Sequence, residues 1–498
     1  MEISLLPLIL IPLFMLLALL FSNSQKQIRT IALLGSIAQL IFSIALFYFY
    51  VVEREAGNLA HFYFENNITW YAPLNINFHI GVDGISIAMI LLTAFVVLAG
   101  VLVSWNMEHR SKEFFFLLLL LSLGAYGFFI ALDLFTLFFF LEVAVIPKFL
   151  LIGIWGSGKK EYSAMKLVLM LMGGSALVFV AFAGIYFNSN INGAPTFDLV
   201  QIASLNLPIA VQKLFFPFAF IGFGIFTALF PFHTWVPDGH SSAPTAASMF
   251  LAGISMKLGG YGCLRVATYL MPEAAKEYST IIIVLAIIAI IYGAFATMMQ
   301  TDLKYINAYS SVSHCGFVLL GIGILTKTAI DGAVLQMVSH GLMTALFFAV
   351  IGMIYDRTHS RQVAQLGGLL KVLPFISTAF VVAGLCSLGL PGLSGFVAEV
   401  TVFVGAWEKV DLFYRVVTIL ACASIVVTAV YILRATGTVI MGPLKNKEHA
   451  ILSDASWNER LAVILLVTVI IAIGISPFWL KDLLSPGTEI IINKLLIK

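Results

Sequence analysis

Several charged side chains stand inside strongly apolar stretches of this sequence. Glu142 follows the run Leu-Phe-Thr-Leu-Phe-Phe-Phe-Leu, and Lys257 and Glu399 have similarly apolar surroundings. A charge at the centre of a membrane helix costs roughly 2.5 to 3.5 kcal/mol on insertion scales, so it needs a charged partner, a water-filled path or both. Glu142 and Glu399 are therefore the best indication of what the chain does.

Other lysines and histidines accompany the two glutamates. Carboxylate, lysine and histidine can all change protonation near neutral pH when burial and neighbouring charges act on them. This combination indicates a proton relay and fits a sugar pathway poorly. The alternatives are hydrogen-bonded core positions for the histidines and lysines that extend to the membrane interface. The set comprises Glu142, Lys148, Lys257, His314, His340 and Glu399, with Lys166 and Arg265 nearer helix ends.

The composition places these residues in a membrane protein. Hydrophobic residues make up 61% of the chain and charged residues 10%, and the mean hydropathy is +1.03. Apolar stretches of about 20 residues, the length that spans a bilayer, recur along the whole chain. We predict an all-α integral membrane protein with about fourteen transmembrane helices. Their approximate ranges are 3–21, 29–51, 83–104, 114–131, 134–155, 164–187, 213–232, 244–270, 279–299, 303–325, 329–354, 373–406, 413–440 and 458–479.

Lysine and arginine predict the orientation of these helices, because cytoplasmic loops carry an excess of them. One set of loops is basic, with Lys159 and Lys160 in one of them, and the other set is poorer. Both termini are then predicted on the outer side, where the lysines of the tail, including Lys498, are a mild exception. The net charge of +2 gives no indication of nucleic-acid binding, so the expected partners are lipid and other membrane proteins. The four cysteines lack the paired spacing of disulfide or metal sites.

Two of the predicted helices contain breaks. The seventh carries Pro231 near its end, with Pro237 shortly after it, and the twelfth carries Pro391 between glycines. Each break frees backbone carbonyl groups at membrane depth, which is tolerated only where they face protein or water. Broken helices at corresponding places in two halves are typical of ion sites in inverted-repeat transporters, although packing kinks would also explain them. We predict two inverted five-helix repeats, at 113–271 and 272–440. Three N-terminal helices precede them in segment 1–112, and segment 441–498 follows them with a loop, the last helix and a tail.

Several motifs identify a known family. They are Pro-Phe-His-Thr-Trp-Val-Pro-Asp at 231–238, Gly-Val-Asp-Gly-Ile-Ser at 81–86, the segments that end in His314 and His340, and Gly-Leu-Pro-Gly at 389–392. In order and spacing they resemble the antiporter-like chain M subunits of respiratory complex I, over essentially the whole chain. Multisubunit cation/proton antiporter chains belong to the same wider superfamily, and the Gly-Val-Asp-Gly-Ile-Ser motif favours complex I.

The resemblance implies a proton-translocating subunit of an NADH:quinone oxidoreductase. NADH, FMN, iron–sulfur clusters and quinone are then expected in partner subunits, with no cofactor in this chain. The implied partners are other membrane-arm subunits, including two further antiporter-like chains. The expected location is an energy-transducing membrane, namely a bacterial plasma (inner) membrane.

By motif, the resemblance assigns Glu142, Lys257 and Glu399 to the fifth-helix glutamate, the eighth-helix lysine and the twelfth-helix glutamate of the family. Further polar relay positions correspond to Asp133, Lys166, His314 and His340. Water chains between these groups would carry the proton, and the charges along the line would control the proton affinity of the central lysine.

One position departs from the family pattern. The family usually has a seventh-helix lysine, paired with the fifth-helix glutamate, seven residues before the histidine of Pro-Phe-His-Thr-Trp, and this chain has Phe226 there. Lys148 instead follows Glu142 by six residues, which cover about 9 Å and 600° of ideal helix, so direct contact needs a bend at Pro147 or a water between them. We hypothesise that Lys148 replaces the missing lysine. The alternative is a lysine that reaches the cytoplasmic interface.

Three other functions fit parts of this pattern. A cation/proton antiporter subunit would use the same residues, and sodium-dependent exchange in vesicles would reveal it. A membrane cytochrome could bind haem through His314 and His340, and a haem absorption band would reveal that. A structural scaffold would tolerate Phe226, and pumping assays on Lys257 and Glu399 variants would separate it from a pump.

Overall fold

The computed structural model describes residues 3–191 and 194–496, and its secondary structure is mostly helical. Within this part of the chain, ten helices are long and apolar enough to cross a membrane, and three shorter apolar helices accompany them. The predicted class of helical membrane protein is confirmed at this level. Lys498 and both chain ends lie outside the described residues.

The helices follow the apolar runs of the sequence. They are α1 Pro7–Leu20, α2 Gln25–Glu55, α3 Gly84–Val103, α4 Ser111–Ile130, α5 Leu134–Trp155, α6 Lys160–Phe187, α7 Leu199–Ser204, α8 Ile209–Phe226, α9 Trp235–Ser242, α10 Thr245–Phe250, α11 Met256–Gly262, α12 Pro272–Met298, α13 Leu303–Ile324, α14 Lys327–Thr358, α15 Pro374–Ser387, α16 Ser394–Trp407, α17 Leu412–Val439, α18 Trp457–Ile475 and α19 Phe478–Leu496. Two π-helical turns, Leu251–Ser255 and Cys263–Thr268, flank α11.

Two small antiparallel hairpins qualify the prediction of an all-α chain. They pair β1 Tyr63–Tyr71 with β2 Ile76–Val82, and β3 Asn190–Ile191 with β4 Ala194–Pro195. Both lie between helices, in segments that the sequence predicts as loops. The all-α description therefore holds for the membrane part of the chain only.

Aspartate side chains fix where some of the helices begin. Asp83 accepts a hydrogen bond from the backbone N–H of Ser86 and caps α3, and Asp133 caps α5 in the same way. Such a cap typically contributes about 1 kcal/mol, because it satisfies a backbone donor of the first turn. A β-bridge between Ile80 and Ala131 brings the two helix starts to the same end of the bundle. We call this the hairpin end, and the opposite end, with the loops at 105–110 and 441–456, the basic end.

Two helices are interrupted where the sequence carries proline and glycine. α8 ends at Phe226, and Ala228 has a left-handed φ of +67° before the chain continues into α9. α15 and α16 are separated by residues 388–393, within which Gly389 has a φ of +73°. Glycine adopts this conformation at little steric cost, whereas a side chain disfavours it.

His79 fastens the β1–β2 hairpin to the loop before α7. Its Nδ1 lies 2.8 Å from Asp198 Oδ2, and its Nε2 lies 3.0 Å from Glu65 Oε2. Burial disfavours the charged imidazole, but the hydrogen bonds and charges of the two carboxylates outweigh burial and raise the pKa of His79 to about 9. At neutral pH this histidine is therefore positively charged and bridges two negative groups.

The tail that the sequence predicts after the last span forms a helix. α19 packs on α3 and α14 at the hairpin end, with Leu483, Leu484 and Ile491 buried. The hydroxyl of Thr488 donates a 2.5 Å hydrogen bond to Asp331 Oδ1 near the start of α14. This contact holds α19 against α14.

Candidate functional site

Lys257 lies in α11, between the two π-helical turns, and is 1% exposed. Its Nζ donates to the carbonyl of Ala252 at 2.5 Å and lies 2.7 Å from Nδ1 of His340 on α14. A charged lysine has donors only, so Nδ1 must be unprotonated to accept from it. The contact is a suitable geometry for a proton to pass between the two side chains.

His314 continues this line from α14 to the interrupted helix. The rings of His314 and His340 have their centroids 5.5 Å apart. The Nδ1 of His314 lies 3.3 Å from Glu399 Oε1 on α16, and its Nε2 lies 3.1 Å from the hydroxyl of Ser387, the last residue of α15. The structure thus brings four of the predicted residues into one buried series: Lys257, His340, His314 and Glu399.

The break between α15 and α16 places its backbone against the Glu399 carboxylate. A Cβ built at Gly389 would lie 2.7 Å from Glu399 Oε2, closer than nonbonded atoms approach. Across the same break, the hydroxyls of Ser394 and Ser339 are 2.8 Å apart and join α16 to α14. The interrupted helix therefore fixes where the carboxylate lies.

Glu142 and Lys148 stand apart from this series, on α5. Lys148 is 1% exposed, and its Nζ has no hydrogen-bond partner among the described residues. The ammonium lies 5.7 Å from the centre of the Phe226 ring at the end of α8. The buried Oε1 of Glu142 also lacks a partner in the described part of the chain, and no ion pair within 4.0 Å joins the two residues there.

His240 is a further buried histidine and was not among the predicted site residues. It is fully buried in α9, neither ring nitrogen has a hydrogen-bond partner in the described ranges, and its ring stacks on Phe348. The side chain is within electrostatic reach of both Lys148 and Lys257. Its position within the Pro-Asp-Gly-His run was the available signal.

Other contributors to the site carry no charge. Gln336 donates from Nε2 toward Nδ1 of His314 at 3.3 Å, and the thiol of Cys315 lies 3.9 Å from Nδ1 of His340. Ser387 belongs with them. Neutral residues in apolar helices give no sequence signal of this kind, because their partners come from helices distant along the chain.

Two predicted site residues lie away from the series. Asp133 is buried at the hairpin end, where it caps α5 and accepts a hydrogen bond from the backbone N–H of Asn77. Lys166 is about a quarter exposed and forms a 2.6 Å ion pair with Asp238. The structure gives both residues partners of their own and places neither in contact with Lys257 or Glu399.

Comparisons with known proteins identify the family of the chain. The family model described as "NADH:quinone oxidoreductase/Mrp antiporter, TM" matches residues 131–424. A NADH-quinone oxidoreductase subunit M of Rickettsia prowazekii is 35% identical over 462 residues, which cover 92% of each chain. A NAD(P)H-quinone oxidoreductase chain 4-2 of Synechocystis is 37% identical over 444 residues, 88% of this chain and 78% of that protein.

Two solved structures share the fold. A chain of respiratory complex I from Thermus thermophilus with bound NADH superimposes with a TM-score of 0.89 at 26% identity, over 99% of this chain and 100% of that one. A chain of the Mrp complex from a Dietzia species superimposes with a TM-score of 0.85 at 18% identity, over 99% of both chains. The second similarity concerns the fold alone.

Proposed function

The chain belongs to the NADH:quinone oxidoreductase/Mrp antiporter transmembrane family, and on that premise we propose that it moves protons as a membrane-arm subunit of a proton-translocating NADH-quinone oxidoreductase. The observation that carries the proposal is the series from Lys257 through His340 and His314 to Glu399. Each member can hold a proton, and the four residues form two direct contacts shorter than 3.5 Å, Lys257 with His340 and His314 with Glu399.

In this proposal Lys257 holds the proton at the centre of the membrane and passes it to His340. The proton then reaches Glu399 through His314, which rotates or exchanges its contact with Gln336. A positive charge near a lysine disfavours its protonation and a carboxylate favours it. At about 5 Å and an effective dielectric near 20, one such charge changes the interaction by about 3 kcal/mol, roughly a hundredfold in proton affinity. Charge movement at Glu142 and Lys148 would supply that control.

The finer architecture belongs to the same proposal. We infer fourteen spans in two inverted five-helix repeats, divided at 112, 271 and 440, with the interruptions after α8 and α15 as the breaks of the seventh and twelfth spans. The basic end faces the cytoplasm of a bacterial plasma membrane, because its loops carry the excess of lysine and arginine. Both termini then lie outside. The support is the pair of short apolar helices α15 and α16 around one break.

The cofactors of such a complex are carried by other subunits. We propose that NADH, FMN, iron–sulfur clusters and quinone are bound there, and that energy reaches this chain through its membrane neighbours. Two of those neighbours would be further antiporter-like chains. The lipid bilayer surrounds the remaining apolar faces.

The decisive experiment measures proton pumping against quinone reduction in vesicles of the whole complex. We expect Lys257→Ala to abolish pumping, because it removes the central proton carrier. Lys447→Ala, on an exposed loop at the basic end, is the matched control and should pump normally. Unchanged pumping by an assembled Lys257→Ala complex would make this chain a scaffold, and sodium-dependent exchange would indicate a cation antiporter instead.

A further inference from the structure

We propose that Lys148, held against the face of Phe226, is a second proton-carrying lysine of this chain and works with Glu142. The inference rests on the proposed function and adds the residue that controls the charge of Glu142 and its surroundings. Three features of the structure carry it: the burial of the lysine, its aromatic neighbour and the shared helix.

Lys148 does not behave as an interfacial lysine. Its side chain is 1% exposed, and its ammonium has no hydrogen-bond partner in residues 3–191 or 194–496. Lys160 at the basic end shows the contrast, because its Nζ caps the end of α5 through the carbonyl of Ile154. Isolated buried charges are costly, so an unpartnered ammonium at this depth indicates a group that changes protonation or partner.

Phe226 is the only cation–π partner that the described contacts give Lys148. The ring centre lies 5.7 Å from Nζ, and the ring itself is 1% exposed. The negative face of an aromatic ring attracts a cation but accepts no proton and forms no directed hydrogen bond. The ring can therefore hold the ammonium in place while leaving it free to give its proton away.

Glu142 is positioned to take part from the same helix. It lies six residues before Lys148, and helical side chains lean toward the N-terminus, so the lysine side chain extends toward the level of the glutamate. Pro147 removes one backbone hydrogen bond between them and lets the helix bend. The buried Oε1 of Glu142 has no other partner in the described ranges.

These features define two states. In one, the Lys148 ammonium approaches Glu142 and the two charges compensate each other. In the other, the side chain lies on Phe226, gives one proton to a water molecule of the chain that leads toward Lys257 and becomes a neutral amine. His240 lies within electrostatic reach of Lys148 and of Lys257. A change of charge at Lys148 therefore alters the electrostatic environment that this histidine shares with Lys257.

The test is proton pumping per quinone reduced, in vesicles of the whole complex. We expect Lys148→Met to slow proton transfer roughly a hundredfold, the contribution of one positioned proton-transfer group, and so to abolish measurable pumping. Adding Phe226→Lys to this variant supplies a lysine from α8 near the position of the lost Lys148 ammonium and should restore pumping. Lys160→Met is the matched control and should pump normally.

Lys148→Arg separates a proton carrier from a fixed charge. Arginine keeps the charge and the length but does not release its proton in proteins, so we expect it to assemble and to lose pumping. Full pumping by Lys148→Arg or by Lys148→Met would overturn the inference, and the arginine variant decides if the methionine variant fails to assemble. Normal pumping in these variants together with loss in Lys257→Ala would refute the inference and leave the proposed function standing.

Discussion

Two contacts in the series between Lys257 and Glu399 join a group that can give a proton to one that can accept it. His340 meets the lysine through Nδ1, and His314 meets the carboxylate through Nδ1 while Ser387 occupies its other nitrogen. Because both nitrogens of His314 have other partners, this ring has to rotate or exchange its contact with Gln336 before it can take a proton from His340.

Gly389→Ala tests how closely the broken helix positions this carboxylate. The new methyl group would meet Glu399 Oε2 and would also force alanine to a φ of +73°. We expect loss of most proton pumping, with quinone reduction reduced far less, because the redox site lies in other subunits. Gly437→Ala on α17 is the control, since a Cβ there has open space within 4 Å, and it should pump normally. Equal pumping by the two variants would contradict the assigned role of the break.

The sequence predicted the residue types of the site better than their contacts. Charged residues in apolar runs are conspicuous, so Lys257, Glu399 and the two histidines could be named. Asp133 and Lys166 were named with them, yet a helix cap and an ion pair with Asp238 engage these two residues elsewhere. Contacts between helices that are distant along the chain follow from three-dimensional packing, and no local pattern records them.

At the scale of the elements, the clamp at His79 should make the hairpin sensitive to alkaline pH. The folded pKa near 9 lies above the ordinary value of 6.5, so the stabilisation is complete below pH 6.5 and is lost as pH rises through about 9. Its full size is about 3 kcal/mol, shared between the hairpin and the loop before α7. The loss follows deprotonation of the imidazole between two carboxylates.

Hydrogen exchange of residues 63–82, corrected for the intrinsic effect of pH, measures this clamp. Protection should fall as pH rises through about 9 in the natural sequence. His79→Gln should show weaker protection with little pH dependence. His61→Gln, at an exposed position before β1, should keep the pH dependence of the natural sequence. Protection that does not change with pH in the natural sequence would show that the charge of the His79 imidazole does not hold the hairpin.

Elements of the membrane part follow directly from the sequence, whereas the elements at the hairpin end do not. A run of about twenty apolar residues forms a helix in a bilayer, because a helix satisfies the hydrogen bonds of all its own backbone groups. The segment 63–82 is short and mixed in polarity, so its strands depend on each other and on Asp198. α19 contains Pro486 and Gly487, which disfavour a helix, and its packing on α3 and α14 compensates.

For the whole molecule, the orientation can be tested with two introduced cysteines. Asn67→Cys lies on the exposed part of β1 at the hairpin end, and Lys447→Cys lies on an exposed loop at the basic end. We expect a membrane-impermeant thiol reagent to label the first in right-side-out vesicles and the second only in inverted vesicles. The natural sequence, with Cys422 exposed on α17, gives the background. The reverse pattern would contradict the proposed orientation.

The two π-helical turns around α11 have a consequence for the whole line. A π-turn commonly holds one residue more than an α-turn, and one residue corresponds to about 100° of rotation about the helix axis. The seven residues of α11 are thus rotated about the helix axis relative to the helical segments on either side. Losing a single residue from Leu251–Ser255 would swing Lys257 away from His340. Such a deletion would remove no ionisable group and would still interrupt proton transfer between Lys257 and His340.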